Sequence, residues 1–279
     1  MNNHQPVKLV ATDLDGTFLG SDKSVSSENL EALHLLGEKG IVRVIATGRN
    51  LMKTQEVILP EIPFDYIVFS SGAGVYDCNR NELVYHQNMD GRVTRNLTEY
   101  LINRDLNFHI FRAVPENYRC WYHRGSLPCV EFENYLEYHQ LYSEVLPTPI
   151  PISSESCQFL VVFPNDLDRF LRFKQDVERT FDGIKVVRTS SPLETGYIWM
   201  EIFHEAVSKG NGVKLICDSL GIGHEFTLGI GNDFNDLDLL EFTRYSYVVE
   251  NGPEELKSRF LSTCLNTESA FARVITHHL

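Results

Sequence analysis

The sequence predicts an α/β protein with a doubly wound parallel sheet and an inserted α+β domain. Three observations favour this class. Short apolar segments alternate with helical patterns in the first third of the chain, the alternation stops in the middle, and it resumes in the last third. Strands that alternate with helices are typical of a parallel sheet. Polar motifs follow the strands, and ligands of such sheets bind beyond the carboxyl ends of the strands.

The first third contains strands and helices in strict alternation. The predicted strands are Val7–Thr12, Ile41–Ala46 and Tyr66–Ser70. The first is a continuous apolar run, as expected of a strand that is buried on both faces. A helix begins at a serine cap, Ser26 or Ser27, and ends near Lys39, just before a glycine that suits the left-handed position after a helix. A second helix begins near Asn50.

Residues 86–195 have a different character. They are rich in Tyr, Phe, Glu and Pro, and glycine no longer follows each apolar segment. The predicted elements are a helix over 166–180 and strands around Cys120, from Cys157 and from Lys185. We therefore expect a separate α+β domain with its own small core.

The last third returns to the first pattern. The order of its segments is an apolar run at Tyr197–Phe203, a helix over Val213–Leu220, a strand at Phe226–Gly231, a helix through Leu240 and a final strand near Tyr245. Because this alternation matches that of the first third, we assign residues 1–85 and 196–279 to one discontinuous core. Residues 86–195 are then the inserted domain.

Composition and charge restrict the possible partners. The chain has 279 residues, 43% of them hydrophobic and 23% charged, which is typical of a globular protein. No segment approaches the about 20 apolar residues that span a bilayer, and the first residues, M-N-N-H-Q-P-V-K, lack an apolar signal core, so we expect a cytoplasmic protein. Six cysteines without a C-x-x-C pair predict reduced thiols. The formal net charge of −13 argues against nucleic acid and anionic membranes as partners. For the oligomeric state, we expect a monomer or a weak homo-oligomer.

The stretch K-L-V-A-T-D-L-D-G-T-F-L-G, Lys8–Gly20, places Asp13 and Asp15 at the end of the first strand. One interpretation is a helix-capping Asp beside a turn Asp. However, residues i and i+2 of a strand project from the same face and can serve one site. Two carboxylates this close remain ionised together only with a cation nearby. Mg²⁺ suits them because it prefers oxygen ligands and accepts a substrate phosphate as a further ligand.

D-L-D-G-T followed by a hydrophobic residue resembles the first motif of the haloacid dehalogenase superfamily, and more narrowly its Cof-type phosphatases with an α/β cap. The resemblance covers nearly the whole chain, since later motifs recur in order. It implies a Rossmann-like core, a cap that sets substrate specificity and Mg²⁺ as cofactor. It also implies that Asp13 is the nucleophile and Asp15 the general acid and then base. A covalent carboxylate intermediate divides one difficult displacement into two easier steps.

Two further motifs resemble those of this superfamily. I-A-T-G-R places Thr47 and Gly48 as ligands of the phosphoryl group, with the hydroxyl and backbone N–H of Thr47 as donors. Such N–H groups at a helix start bind anions. Arg49 either contacts the substrate or holds the loop. V-S-K-G implies that Lys209 offsets negative charge on the carboxylates and on the phosphoryl group.

G-I-G-N-D-F-N-D, Gly229–Asp236, resembles the fourth motif but departs from it. The family usually has an acid, a magnesium ligand, where this chain has Asn232, and an acid follows one position later at Asp233. Either the amide oxygen of Asn232 binds the metal, or the loop shifts and Asp233 replaces it. Asp236 matches the final acid and is a further predicted metal ligand. Asn235 matches the amide that binds phosphate.

The sequence departs from the family again in S-S-G-A-G, because Ser71 stands where Cof-type chains commonly have Asn. A serine hydroxyl can still donate to a phosphate. His109, His123, His139, Trp121 and Tyr122 of the inserted domain are of types that can line a substrate pocket, but such residues are more often core or surface residues.

The sequence therefore predicts a magnesium-dependent phosphatase that hydrolyses a small phosphorylated metabolite, such as a sugar phosphate, through an aspartyl-phosphate. Two alternatives stay open. A phosphomutase uses the same nucleophile and acid/base pair. A non-catalytic protein that binds a phosphorylated metabolite is favoured by the departures at Asn232 and Ser71.

Overall fold

The structure of the protein is a computed structural model that describes residues 6–58, 62–151, 154–190 and 196–279. Residues 1–5, on which part of the signal-core prediction rests, lie outside this range. The chain divides into two compact units, unit 1 (Met1–His86 and Val207–Leu279) and unit 2 (Gln87–Ala206). Within the described residues, no helix is long and apolar enough to cross a membrane.

Regular elements follow one another in both units. The first segment of unit 1 contains β1 (Leu9–Thr12), α1 (Ser27–Glu38), β2 (Val42–Ala46), α2 (Leu51–Gln55), β3 (Tyr66–Phe69), β4 (Gly74–Asp77) and β5 (Glu82–His86). Unit 2 contains α3 (Gly91–Ile102), β6 (Phe108–Arg112), β7 (Cys120–His123), α4 (Val130–Tyr138), β8 (Ser143–Val145), β9 (Ser156–Pro164), α5 (Leu167–Thr180), β10 (Ile184–Ser190) and β11 (Tyr197–His204). The second segment of unit 1 contains α6 (Lys209–Leu220), β12 (Thr227–Gly231), α7 (Leu237–Phe242), β13 (Tyr245–Val248), α8 (Glu254–Lys257), β14 (Leu261–Ser262) and α9 (Ala270–His278).

The sheet of unit 1 has the order β14-β13-β12-β1-β2-β3-β4-β5. Its strands from β14 to β3 are parallel, while β4 and β5 add an antiparallel hairpin. From β1 the chain moves to β2 and β3 on one side, and the second segment adds β12, β13 and β14 on the other. The direction of winding therefore switches between β1 and β12, and such a switch opens a crevice at the carboxyl ends of the strands. This topology confirms the predicted doubly wound α/β core.

Helices cover both faces of this sheet. Val10 of β1 belongs to the core formed with α1 and α9, whereas its neighbours Leu9 and Ala11 belong to the core formed with α6 and α7. Alternate side chains of a strand point to opposite faces, so a strand with both faces covered must be apolar throughout. Ser26 caps α1 by accepting a hydrogen bond from the backbone N–H of Asn29.

Unit 2 contains a second sheet with the order β10-β11-β9-β6-β7-β8. β11 pairs antiparallel with both β9 and β10, and its Met200 lies opposite Val161 and Arg188. The assignment of residues 196–206 to the core is therefore wrong. An apolar strand pattern shows that a segment is buried in a sheet but does not show which sheet. The boundaries fall after His86 and after Ala206, and the former lies one residue from its predicted place.

His109 lies inside unit 2, with its ring centroid 4.5 Å from that of Phe132 and 5.1 Å from that of Tyr135. The side chain is fully buried, and none of the residues that the structure describes gives either ring nitrogen a hydrogen-bond partner. Burial, together with the nearby His139, lowers the pKa of His109 to about 3. His109 is thus a neutral core residue.

We expect His109→Leu to remove part of the acid sensitivity of unit 2. His109 binds a proton near pH 6.5 in the unfolded chain but only near pH 3 in the folded chain. His109 therefore makes folding less favourable as the pH falls. Between pH 7 and pH 5 the wild type should lose about 2 kcal/mol of unfolding free energy that the variant keeps, at about 1.4 kcal/mol per pH unit. Urea unfolding followed by tryptophan fluorescence measures this, since both tryptophans, Trp121 and Trp199, lie in unit 2. Identical pH dependence in the two proteins would contradict this account.

Candidate active site

Asp13 stands at the switch point of the unit 1 sheet. Its backbone N–H donates to the carbonyl of Ile230 in β12 at 2.9 Å, so the pairing of β1 with β12 fixes its position. The chain then makes a wide turn, Leu14–Phe18, closed by a 2.9 Å hydrogen bond from the Leu19 N–H to the carbonyl of Leu14. Gly16 has φ +73°, a left-handed conformation that glycine adopts without strain.

Lys209 begins α6 and extends to the same point. Its Nζ donates to Asp13 Oδ1 at 2.7 Å and to Asp236 Oδ1 at 2.6 Å. All three side chains are buried. A Cβ on Gly210 would lie 2.2 Å from the carbonyl oxygen of Asp238, so glycine is needed for α6 to approach this loop. Burial by itself would lower the pKa of Lys209, but the two carboxylates raise that pKa above its ordinary value.

Asp236 connects Lys209 to the loop after β12. While its Oδ1 accepts from Lys209, its Oδ2 accepts from the backbone N–H groups of Asn232 at 2.8 Å and Asp233 at 3.0 Å. The carboxylate of Asp233 accepts from the N–H of Phe234 at 2.8 Å and caps the next turn. Asp233 and Asp236 are two of the predicted metal ligands. Both carboxylates accept hydrogen bonds in this loop, and their role at a metal stays a prediction.

Asn232 lies against Asp13. One terminal atom of its amide is 3.2 Å from Asp13 Oδ2 and 3.3 Å from both the carbonyl oxygen of Asp15 and Thr17 Oγ1. An amide nitrogen at this position donates hydrogen bonds to these oxygens. Of the two alternatives that the sequence left open, the structure therefore brings Asn232, and not Asp233, to the first aspartate.

Within the described residues, no group of three or more His, Cys, Asp or Glu side chains is placed to hold a metal ion. The predicted metal ligands, Asp13, Asp15, Asn232, Asp233 and Asp236, therefore stay a prediction. The polar groups that do converge are of mixed type: the carboxylate of Asp13, the backbone carbonyl of Asp15, the hydroxyl of Thr17 and the amide of Asn232.

Asn235, Gly48 and Ser71 lie next to one another, and Asn235 also contacts Lys209. Asn235 Oδ1 accepts from Lys209 Nζ at 3.4 Å. A Cβ on Gly48 would lie 3.5 Å from Asn235 Nδ2 and 3.7 Å from Ser71 Oγ, so both donors face the space that a side chain on Gly48 would occupy. The structure thus brings the predicted residues Gly48, Lys209 and Asn235 together.

Thr47 differs from its prediction in one respect. Its backbone N–H donates to the carbonyl of Val68 at 2.8 Å, which continues the pairing of β2 with β3. That N–H is therefore committed to the sheet, and the prediction that it binds a phosphoryl group is wrong. The Thr47 hydroxyl accepts from the N–H of Arg49 at 3.1 Å.

Ser71 belongs to the site, although sequence reasoning did not include it among the site residues. Only 4% of the residue is exposed, and none of the described residues forms a hydrogen bond with its Oγ. Ser71 has φ +54°, and its N–H donates to the Thr47 carbonyl at 2.9 Å. The departure from the usual Asn was the available signal, but it did not show that this hydroxyl would be buried beside Gly48 and Asn235.

Asp15 carries two basic partners. Arg49 Nε donates to Asp15 Oδ2 at 2.6 Å and Arg49 Nη2 donates to Oδ1 at 2.7 Å, while Lys23 Nζ donates to Oδ1 at 2.9 Å. Burial alone would raise the pKa of Asp15, but these hydrogen bonds and charges lower it below the ordinary value. The structure thus assigns Arg49 to Asp15. Lys23 had no sequence signal, because it lies in a turn outside every motif.

Similar proteins identify the family of this chain. Residues 10–275 match the family model of haloacid dehalogenase-like hydrolases. The chain belongs to this family. Two relatives from Bacillus subtilis (strain 168) are phosphatase YwpJ, 24% identical over 98% of this chain and 100% of the relative, and 5-amino-6-(5-phospho-D-ribitylamino)uracil phosphatase YwtE, 26% identical over 91% of each. The solved structure of the phosphatase BT1666 from Bacteroides thetaiotaomicron is 19% identical, with a TM-score of 0.80 over 99% of this chain and 96% of that one. The predicted family, its Rossmann-like core and its phosphatase class are confirmed.

We expect Lys209→Met to destabilise unit 1 by about 3–5 kcal/mol, because it leaves two buried carboxylates without their cation. Lys214→Met is a matched control in α6, since Lys214 is 55% exposed and pairs with Asp218 at the surface. It should cost less than about 1 kcal/mol. Urea unfolding followed by circular dichroism compares the two variants. Similar losses of unfolding free energy in both variants would show that the buried ammonium of Lys209 does not stabilise the site.

Proposed function

We propose that this protein is a magnesium-dependent phosphatase that transfers the phosphoryl group of a small phosphorylated metabolite to Asp13 and then to water. One observation carries the proposal. Lys209 is separated from Asp13 by 196 positions in sequence, yet its ammonium lies 2.7 Å from the carboxylate and also contacts Asn235 and Asp236. In a protein with a net charge of −13, this cation offsets part of the negative charge that Asp13 and Asp236 would otherwise present to an anionic substrate.

The phosphoryl group would lie beside Gly48. Asn235 Nδ2 and Ser71 Oγ face the space where Gly48 lacks a side chain. A buried hydroxyl without a partner costs about 1–3 kcal/mol, and an oxygen of the phosphoryl group would supply the missing partner. The donors are fixed before binding, which favours stabilisation of the charge that develops during transfer.

Asp13 and Asp15 have different roles in the proposed reaction: Asp13 attacks phosphorus and Asp15 transfers protons. Asp13 is oriented by Lys209 at Oδ1, and the amide end of Asn232 lies beside Oδ2. Attack by the carboxylate forms an oxygen–phosphorus bond as the bond to the leaving oxygen breaks, and Asp15 gives that oxygen a proton. In the second step water attacks phosphorus, Asp15 takes the proton of the water, and the carboxylate of Asp13 is released.

The oxygens around Asn232 fit a magnesium ion. If the amide turns its oxygen towards Asp13 Oδ2 and the Asp15 carbonyl, these two oxygens stand 3.2 Å and 3.3 Å from the amide oxygen. Neighbouring oxygens of this kind repel one another, and a shared hard cation relieves the repulsion. When bound, Mg²⁺ would offset negative charge on the phosphoryl oxygens. Asn232 can thus present its nitrogen without the ion and its oxygen with it. Asp13 supplies the single formal negative charge of this set.

The relatives support the substrate class. YwtE is named for a phosphorylated ribitylamino compound, and another structural relative is described as a sugar phosphatase. We therefore propose a small phosphorylated metabolite, such as a sugar phosphate, as the substrate. The roles of unit 2 in specificity and of Mg²⁺ stay predictions.

Asp13→Asn should lower phosphate release at least about a thousandfold, because an amide cannot serve as the nucleophile. The assay is phosphate release from p-nitrophenyl phosphate and from a panel of sugar phosphates, nucleotides, and flavin and pyridoxal phosphates, with and without Mg²⁺. Asp218→Asn, an exposed position in α6, is the matched control and should keep the wild-type rate.

Turnover of Asp13→Asn at the wild-type rate would contradict the proposal. Transfer to a sugar hydroxyl in place of water would instead identify a phosphomutase. Tight binding of the panel compounds with no phosphate release by the wild type would identify a non-catalytic binding protein.

Asn232→Asp should tighten Mg²⁺ binding about tenfold, because it adds a formal charge to the proposed ligand set. Isothermal titration of the protein with MgCl₂ measures the affinity directly, without substrate. The Mg²⁺ concentration for half-maximal phosphate release should fall in parallel. An affinity equal to that of the wild type would place the ion away from Asn232.

A further inference from the structure

The carboxylate of Asp15 is held in one plane by Arg49. Two N–H groups of a single guanidinium reach its two oxygens, at 2.6 Å and 2.7 Å. A planar guanidinium that binds both oxygens fixes the orientation of a carboxylate, which a lysine ammonium cannot do. Lys23 adds one contact and is 58% exposed, so it contributes charge rather than direction.

Arg49 is itself fixed on the core of unit 1. Its backbone N–H donates to Thr47 Oγ1 at 3.1 Å, and its carbonyl accepts from the N–H of Ser70 at 2.8 Å. Its Nη1 donates to the carbonyl of Lys53 at 3.3 Å, at the end of the guanidinium that does not face Asp15. The guanidinium of Arg49, a fork of two N–H donors to Asp15, is therefore positioned before any substrate binds.

Asp15 is assigned two steps: it gives a proton to the leaving oxygen and later takes a proton from water. This arrangement suits the second step better than the first. Three N–H groups donate to the two oxygens, so the carboxylate is presented as a hydrogen-bond acceptor. An acceptor of fixed orientation is what the attack of water on the aspartyl-phosphate requires, because the proton of the water must be removed as the new oxygen–phosphorus bond forms.

We propose that Arg49 is a positioning residue that holds Asp15 as the base for hydrolysis of the phosphorylated Asp13. This inference rests on the proposed function. In the step concerned, water forms a bond to phosphorus, the bond between phosphorus and Asp13 breaks, the proton of the water moves to Asp15, and inorganic phosphate leaves. Arg49 acts on this step through Asp15.

The test separates the two steps with p-nitrophenyl phosphate, whose leaving group departs without a proton. In Arg49→Gln and Arg49→Lys, formation of the phosphoenzyme should continue while its hydrolysis slows about 10- to 100-fold. Stopped-flow absorbance should then show a burst of p-nitrophenol that approaches one equivalent. Acid quenching should show phosphorylated protein accumulating during the steady state.

Arg43→Lys is the matched control. Arg43 forms the same type of fork with Asp65, at 2.9 Å and 2.8 Å, but from the amino-terminal part of β2. This variant should show the wild-type time course. Arg49→Lys keeps the charge and loses the fork, so it separates orientation from electrostatics.

A lower steady-state rate in the Arg49 variants without a burst and without phosphoenzyme would overturn the proposal. Wild-type kinetics in Arg49→Lys would also overturn it, because charge alone would then be sufficient. The absence of turnover in the wild type is a different result, since it would contradict the proposed function itself.

Discussion

The ammonium of Lys209 between the carboxylates of Asp13 and Asp236 is the interaction on which the rest of the site depends. Lys209 and Asp236 are at most 1% exposed, and Asp13 is 4% exposed. Charges this deeply buried are tolerated only together. The ammonium fixes one oxygen of Asp13, and Asp236 uses its other oxygen to hold the backbone of Asn232. A single cation therefore positions both the carboxylate of Asp13 and the loop beside it.

Two aspartates that are two positions apart thus acquire different chemistry from different partners. Burial raises the pKa of Asp13, even though Lys209 opposes this, while Arg49 and Lys23 lower the pKa of Asp15. The two carboxyl groups therefore lie in different electrostatic environments, although both follow the same strand. The buried ammonium suits a nucleophile held against phosphorus, and the partly exposed fork suits a base that receives its proton from water.

The sequence predicted the doubly wound core and the convergence of Asp13, Lys209 and Asn235, because the carboxyl ends of parallel strands share one edge of a sheet. It could not predict which hydrogen-bond partners each group selects. The N–H of Thr47 was expected on a phosphoryl group and pairs with β3. The strand β11 was expected in the core and pairs in unit 2, since strand patterns carry no information about partner strands.

The central claim is that Asp13 carries the phosphoryl group during turnover. Wild-type protein saturated with p-nitrophenyl phosphate and Mg²⁺ can be quenched in acid within the first turnover, digested and analysed by peptide mass spectrometry. The account predicts a phosphoryl group on the peptide that contains Asp13, located on that side chain by fragmentation. Phosphorylation of a different residue, or first-turnover phosphate release with no phosphorylated peptide at any time, would contradict it.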